Sequence, residues 1–311
     1  MSHARRSAIA FIAFSILASS SLGVAQRARS FDARVSGSGR PIVFIPGLAS
    51  SGETWDSAVA RYRDRFQCHV LTLAGFAGVP PIDRPLIASA EADLAEYIRA
   101  NRLERPIVIG HSLGGVVALA LAARHPDLAG PLVIVDALPF TAGSRFQADT
   151  AADAEPAIAK THARLANMTT AAYESYVRSG EATKYMVTSP TDLATIQRWS
   201  MASDPRTVAD ALAEFYRLDL RQEIGRIQAP ALVLGTWAGI HDEVAQYGVE
   251  LRRELFVRIF EHQFARLSQL HFALSDTARH FIMFDDPDWF FRQLDAFLAN
   301  PASVTRERGF R

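Results

Sequence analysis

The most informative chemical feature of the sequence is a serine enclosed by glycines, in residues 110–115, which read GHSLGG. An apolar run at residues 106–109 precedes this segment, and a second apolar run at residues 116–121 follows it. A sharp strand-to-helix turn of this kind exposes the serine hydroxyl at the start of a helix, where backbone N–H groups stabilise negative charge. The pattern therefore predicts that Ser112 is a nucleophile.

Strand-like and helix-like segments alternate on both sides of this serine. This alternation predicts an α/β fold with a mostly parallel central sheet and helices on both faces. Residues 31–36 alternate weakly and a glycine-containing turn follows them, which predicts a hairpin with the strand at residues 41–45. The predicted central strands are residues 41–45, 69–73, 106–109, 131–135, 231–235 and 270–274.

The alternation stops between residues 140 and 226, where no strong strand pattern occurs. Cap residues and prolines mark helix starts there, so residues 140–226 are predicted to form a helical cap or lid, called the helical insertion below. The predicted core consists of residues 26–139 and 227–311. Within it, residues 243–267 are predicted to be helical, and Asp286 is predicted to cap the last helix.

Composition excludes several classes of function. The 311 residues are 49% hydrophobic, enough for a sizeable core, and 33 Lys and Arg balance 33 Asp and Glu, which argues against a nucleic-acid partner. The single cysteine, Cys68, excludes an internal disulfide and is predicted to be buried in a strand. The sequence contains no metal-ligand motif and no nucleotide-binding motif, so no metal and no cofactor is implied.

The N-terminus has the composition of a secretory signal peptide. Arg5 and Arg6 supply positive charge, residues 8–17 are apolar, and residues 23–25 form a small-x-small cleavage site. The alternative, a membrane anchor, is disfavoured because the apolar run is short and rich in serine. Residues 1–25 are therefore predicted to be cleaved, leaving a periplasmic or secreted protein without stable membrane insertion.

The order of the motifs resembles the α/β-hydrolase superfamily over roughly residues 31–299. The motifs are the loop at 46–48, the turn at 110–115, the helical insertion, the strand at 230–235 and the segment 278–287. The resemblance implies an α/β-hydrolase fold and a Ser-His-acid triad, in which Ser112 is the nucleophile. His280 is the implied base, since the family places its base between the last strand and the last helix.

The resemblance leaves the acid of this triad open. The family's usual acid follows the strand that ends here at Gly235, and no acidic residue occupies that place. Asp136 ends the strand after the Ser112 helix, a position that some α/β-hydrolases use, and Asp242 lies further along the usual loop. Asp136 is preferred because a strand end fixes a side chain better than a long loop does. The non-catalytic interpretation is a turn cap for Asp136 and a helix cap, before Glu243, for Asp242.

The resemblance also implies an oxyanion hole formed by the backbone N–H groups of Leu48 and Leu113. Proline stands at position 46, where many relatives have histidine, but the implied donor belongs to Leu48. The helical insertion is expected to cover Ser112. The side chains expected to line the substrate pocket are His111, Tyr185, Trp199, Trp237 and Phe281.

These features predict a serine hydrolase that cleaves a carboxylic ester, or a related small acyl substrate, through an acyl-enzyme intermediate. Hydrolysis of amides or proline peptides, and of carbon–carbon bonds, uses the same triad and stays open. A non-enzymatic alternative is a ligand-binding sensor that retains a hydrolase pocket. Serine at position 112 disfavours the haloalkane dehalogenase and epoxide hydrolase branches, which need aspartate there.

Overall fold

A computed structural model describes residues 29–245, 250 and 252–302 of the chain. The predicted signal peptide, residues 1–25, lies outside the described residues. Within these ranges, no helix is both long enough and apolar enough to cross a membrane.

In the described part of the chain, seven strands form one sheet in the order β1-β3-β2-β4-β5-β6-β7. β1 pairs antiparallel with β3, and every other neighbouring pair is parallel. The mostly parallel sheet predicted from the sequence is confirmed. The strands are β1 (Phe31–Ser36), β2 (Arg40–Ile45), β3 (Phe66–Leu73), β4 (Ile107–His111), β5 (Leu132–Val135), β6 (Ala231–Thr236) and β7 (Leu270–Ser275).

Helices connect most of the strands. In the core they are α1 (Asp56–Tyr62), α2 (Leu86–Ala100), α3 (Leu113–Arg124), α9 (Ala238–Ala245), α10 (Arg253–Gln263), α11 (Ile282–Asp285) and α12 (Pro287–Ala299). In the helical insertion they are α4 (Thr141–Phe146), α5 (Ala151–Ala166), α6 (Thr170–Arg178), α7 (Pro190–Met201) and α8 (Pro205–Arg217). Short 3-10 helices occupy Gly52–Trp55 and Glu223–Arg226.

Two apolar layers cover the two faces of the sheet, because successive side chains of a strand point to opposite faces. In β5, Ile134 joins the layer that includes α2, α3 and α10, whereas Val133 joins the layer that includes α1 and α12. Residues 113–123 of α3 are all buried, as expected for a helix that is apolar on every side. This packing fixes the N-terminus of α3, where Ser112 lies.

The predicted hairpin between residues 31–36 and 41–45 is wrong. β1 pairs with β3, with Phe31 opposite Leu73. β2 is already hydrogen-bonded in parallel to β3 on one side and to β4 on the other. Both edges of β2 are therefore occupied, and β1 pairs along the outer edge of β3.

Where the sequence predicts one helical stretch at residues 243–267, the structure has the separate helices α9 and α10. Asp242 consequently lies inside α9 and does not cap a helix that begins at Glu243. At the C-terminus the prediction is confirmed: the Asp286 side chain accepts a hydrogen bond from Trp289 N at 3.2 Å and caps α12.

Candidate active site

Ser112 is the single residue between β4 and α3. Its backbone has φ 53° and ψ −121°, which is a strained conformation for a residue with a side chain. The Ser112 N–H donates to the carbonyl oxygen of Val135 at 2.9 Å. This bond fastens the turn to β5 and holds the serine at the N-terminus of a buried helix.

Two glycines make this turn possible through close approaches of the backbone. A Cβ atom at Gly110 would lie 2.2 Å from the carbonyl oxygen of Gly114, and one at Gly114 would lie 2.4 Å from that of Ile45. Both distances are far shorter than a van der Waals contact, so a larger residue requires the backbone to move. The approach at Gly114 brings the loop after β2 against the start of α3.

Asp136 directly follows β5 and is held by its neighbour β6. Its N–H donates to Leu234 O at 2.7 Å, and its Oδ1 accepts from Thr236 N at 3.2 Å. The backbone of Asp136 has φ 45°, in the left-handed region. Thr236 was not predicted as a site residue, although its place at the end of the adjacent parallel strand is a usable signal.

His280 lies between β7 and α11, and its ring contacts Asp136. The distance from His280 Nδ1 to Asp136 Oδ2 is 2.6 Å. An ionised carboxylate offers acceptors alone, so Nδ1–H is the donor and Nε2 of the neutral ring keeps its lone pair. An imidazole held in this way can take a proton through Nε2.

Asp242, the alternative acid, has a different partner. Its Oδ2 accepts from Arg279 Nε at 3.1 Å and from Arg279 Nη2 at 2.8 Å. Arg279 Nη1 also donates to the carbonyl oxygen of Val187, in the helical insertion, at 2.9 Å. The Asp242–Arg279 pair thus ties α9 and the insertion to the loop that carries His280.

His111 is fully buried against His280, with ring centroids 4.5 Å apart. His111 Nε2–H donates to the backbone carbonyl oxygen of His280 at 3.0 Å. Burial and the neighbouring His280 ring hold the pKa of His111 well below its usual value, so His111 is neutral at neutral pH. This bond connects the strand that precedes Ser112 to the loop that carries His280.

A cavity of about 820 Å³ is bordered by Ser112, Asp136 and His280. Leu48 and Leu113, which carry the candidate oxyanion donors, border it as well. Leu113 is the first residue of α3, and the N–H groups of a helix's first turn have no intrahelical acceptor. The cavity extends along the helical insertion and α10.

The predicted pocket residues divide into two groups. His111 and Phe281 line the cavity, and their rings contact each other with centroids 4.5 Å apart. Both belong to the segments that carry the candidate catalytic groups.

The expectation that Tyr185, Trp199 and Trp237 also line the pocket is corrected by the structure, because each ring lies in other surroundings. Trp199 Nε1–H donates to Glu53 at 3.0 Å, and Trp237 Nε1–H donates to Asp276 at 3.3 Å. Tyr185 stacks with cationic side chains. An aromatic residue near a site in sequence therefore does not by itself indicate a pocket wall.

Comparison with known proteins shows the family of the chain. The sequence pattern of the alpha/beta hydrolase family matches residues 42–293. The chain belongs to the alpha/beta hydrolase family. This hydrolase therefore has both the fold and the family membership that the motif order predicts.

Relatives of this hydrolase act on more than one kind of acyl compound. An N-formylmaleamate deformylase of Pseudomonas putida is 25% identical over 273 residues, which are 86% of this chain and 92% of the relative. A pimeloyl-[acyl-carrier protein] methyl ester esterase of Vibrio vulnificus is 30% identical over 112 residues, 36% of this chain and 42% of the esterase. An uncharacterised protein of Mycobacterium tuberculosis is 32% identical over 106 residues, and the match spans about a third of its length (31%).

Solved structures share the fold of this hydrolase. MenH from S. aureus superposes with a TM-score of 0.69 at 18% identity, covering 88% of this chain and 99% of that chain. The enol-lactonase from Burkholderia xenovorans LB400 superposes with a TM-score of 0.64 at 20% identity, covering 87% and 96%. At these identities the likeness is one of fold alone.

Proposed function

We propose that this hydrolase is a serine carboxylic ester hydrolase that forms an acyl-enzyme on Ser112. The observation that carries the proposal is the 2.6 Å contact between His280 Nδ1 and Asp136 Oδ2, at a cavity that Ser112 also borders. A neutral serine hydroxyl is a weak nucleophile and needs a base. His280 is oriented to be that base, and Asp136 is placed to hold its tautomer.

In the first step, Ser112 Oγ attacks the carbonyl carbon of the ester while His280 Nε2 takes the hydroxyl proton. The carbonyl oxygen becomes an oxyanion, which accepts hydrogen bonds from the N–H groups of Leu48 and Leu113. Asp136 stabilises the imidazolium through Nδ1–H. When the tetrahedral intermediate collapses, His280 gives the proton to the leaving alcohol, and the acyl group stays on Ser112.

In the second step, a water molecule loses a proton to His280 Nε2 and attacks the acyl carbon. The same two backbone N–H groups stabilise the second oxyanion. Collapse breaks the bond to Ser112 Oγ, which regains its proton from His280, and the carboxylic acid is released. No cofactor enters either step.

The proposal includes two statements about organisation. Residues 140–226 act as a cap on a core of residues 26–139 and 227–311, which is supported by the insertion residues that line the cavity. Cleavage after the signal peptide at residues 1–25 places the protein in the periplasm or outside the cell, which is supported by the order of charged, apolar and small residues.

Hydrolysis of an N-acyl compound is the second candidate function. This function is favoured by the similarity to the N-formylmaleamate deformylase, because the match covers 86% of this chain. The same residues would carry the reaction, and the difference lies in the leaving group. His280 would protonate a nitrogen in place of the alcohol oxygen.

The proposal is tested with the variant Ser112→Ala and a matched control. Ser200 also lines the cavity, so Ser200→Ala makes the same chemical change away from the triad. We expect Ser112→Ala to lower kcat for p-nitrophenyl butyrate by at least about 10⁴-fold, and Ser200→Ala to change it by less than about threefold. The same variants are assayed on an N-formyl amide.

Labelling with a fluorophosphonate separates an enzyme from a binding protein. We expect the folded wild-type protein and Ser200→Ala to be labelled, and Ser112→Ala to stay unlabelled. Wild-type turnover by Ser112→Ala would disprove the proposal. A folded wild-type protein that neither reacts nor turns over substrate would favour the ligand-binding sensor.

A further inference from the structure

The cavity beside Ser112 is larger and more apolar than a short acyl group requires. Its volume of about 820 Å³ lies in the range of sites that enclose a drug-sized ligand, roughly 300–1,000 Å³. Away from the triad, helices α4 to α10 all contribute to its lining, which includes polar side chains such as Thr141, Gln147 and Ser200. Apolar side chains of α6, α8 and α10 form much of its wall. They include Val177, Leu212, Phe215, Phe256 and Phe260.

The charges around this cavity are already paired. Apart from Asp136, Arg145 is the charged side chain that the described residues contribute to the lining, histidines aside. Arg145 Nη1 lies 3.4 Å from Glu243 Oε1, and its side chain is 53% exposed. The described lining therefore provides no unpaired cation for a carboxylate of the substrate.

Two of the phenol groups in the lining, those of Tyr173 and Tyr216, are neutral as well. Burial raises the pKa of Tyr173 and that of Tyr216 above the usual value, so both hydroxyl groups stay protonated near neutral pH. They can make hydrogen bonds but bring no charge into the cavity. An uncharged group thus fits these walls better than an ionised one, since burying an unpaired charge is costly.

We propose, as an extension of the proposed function, that the substrate is a neutral ester with a long or bulky apolar acyl group that fills this cavity. The acyl group stays on Ser112 through both steps, whereas the alcohol leaves after the first. The space beside Ser112 is assigned to the acyl group as part of this proposal. Esters of small or dicarboxylic acyl groups are excluded as preferred substrates.

The first measurement is kcat/KM for p-nitrophenyl esters from acetate to octanoate. Burying one methylene group is worth roughly fourfold in binding, so the octanoate ester is expected to exceed the acetate ester by at least about a hundredfold. Equal values for the two esters, or a maximum at acetate, would overturn the inference.

A cavity-filling variant tests where the acyl group lies. Leu212 is half-buried on α8 and lines the cavity. Leu212→Trp is expected to lower the ratio of kcat/KM for octanoate to kcat/KM for acetate by at least about tenfold, because the larger indole ring occupies the space that the long acyl chain needs. Arg206→Trp, on the exposed side of α8, is the control. An effect of Leu212→Trp on this ratio no larger than that of the control would contradict the inference.

A pair of substrates tests the charge argument on the wild-type protein. p-Nitrophenyl octanoate is compared with the mono-p-nitrophenyl ester of octanedioic acid, which has the same chain length and a terminal carboxylate. We expect at least about tenfold lower kcat/KM for the carboxylate ester, because its charge finds no unpaired cation. Equal or higher kcat/KM for the carboxylate ester would overturn the neutral assignment.

A binding measurement separates failure of this inference from failure of the proposed function. The neutral fluorescent probe N-phenyl-1-naphthylamine is titrated into Ser112→Ala and into the double variant Ser112→Ala/Leu212→Trp. Binding that the second substitution weakens by at least about tenfold supports the apolar cavity even if Ser112 hydrolyses no ester. No probe binding, together with Ser112-dependent turnover of acetate alone, overturns the inference and leaves the proposed function standing.

Discussion

At the scale of single residues, the candidate site depends on which ring nitrogen of each histidine is engaged. His280 uses Nδ1 to contact Asp136, which leaves Nε2 for the proton transfer that we propose. His111 uses Nε2 to hold the backbone carbonyl of His280. In the proposed mechanism, His280 acts as the base, and His111 positions it through this hydrogen bond.

The two candidate acids are distinguished by Asp136→Asn and Asp242→Asn. We expect Asp136→Asn to lower kcat on p-nitrophenyl butyrate on the order of 10⁴-fold, because the amide no longer holds the reactive tautomer. Asp242 pairs with Arg279 and is 39% exposed, so Asp242→Asn should cost less than about tenfold. A collapse of kcat in Asp242→Asn alone would show that Asp242 is the acid.

His111 is tested by comparing His111→Phe with His111→Gln. Phenylalanine fills the space but leaves the carbonyl of His280 without its donor, which costs roughly 10- to 100-fold in kcat. Glutamine can donate from its amide nitrogen, so it should restore much of kcat. Equal losses in the two variants would show that His111 does not act through this hydrogen bond.

The sequence predicts a site residue well when the residues that position it are close to it along the chain, and less well when they are far apart. Ser112 follows from a pattern of six residues, because the turn needs glycine at fixed positions. The contact of Asp136 with His280 spans 144 residues, and the sequence left two acids open because neither pattern nor spacing shows which strand ends meet. Thr236 and Arg279 were not predicted as site residues. Thr236 contacts Asp136 through its backbone N–H, which any residue type provides. Arg279 forms an ion pair with Asp242, which belongs to another element.

At the scale of elements, local patterns predict the strands and helices well, and pairing less well. The parallel strands are confirmed because each is a short apolar run buried on both faces. The pairing of β1 with β3 was missed because it depends on which sheet edge is free, a property of the assembled sheet. The pocket walls were mispredicted in part because apolar spacing indicates burial, not the space that a side chain faces.

The variant Gly114→Ala tests whether the turn between β4 and α3 requires glycine. Gly114→Ala puts a Cβ 2.4 Å from Ile45 O, and the forced backbone shift should lower the free energy of unfolding by about 1–3 kcal/mol. Gly225→Ala is the control, since its Cβ would meet its nearest atom at 3.6 Å, and its effect should stay within about 0.5 kcal/mol. Urea denaturation measures both. Equal stability of the two variants would contradict the close approach.

At the scale of the whole molecule, buried histidines couple stability to pH. Burial lowers the pKa of His69, His111 and His271 in the folded protein. The unfolded chain binds these protons at about pH 6.5, above the folded values. The stabilisation is therefore complete above that pH and is lost as pH falls from about 6.5 toward the lower folded pKa values.

We expect the free energy of unfolding to be lower at pH 5.5 than at pH 7, by up to about 1.4 kcal/mol per pH unit for each of these histidines. Removing one of them by His111→Gln should make the dependence shallower. Urea denaturation at the two pH values measures the change. A free energy of unfolding that is flat or rises toward pH 5.5 would contradict the assignment of buried neutral histidines.

The proposed mechanism depends on a covalent bond between the acyl group and Ser112. The direct measurement is mass spectrometry of peptides from enzyme quenched with acid during turnover of p-nitrophenyl octanoate. We expect the peptide that contains Ser112 to carry the added mass of an octanoyl group. This added mass should disappear after the substrate is consumed. Steady turnover with the acyl group on another residue, or with no acylated peptide even in a rapidly quenched first turnover, would contradict the proposed mechanism.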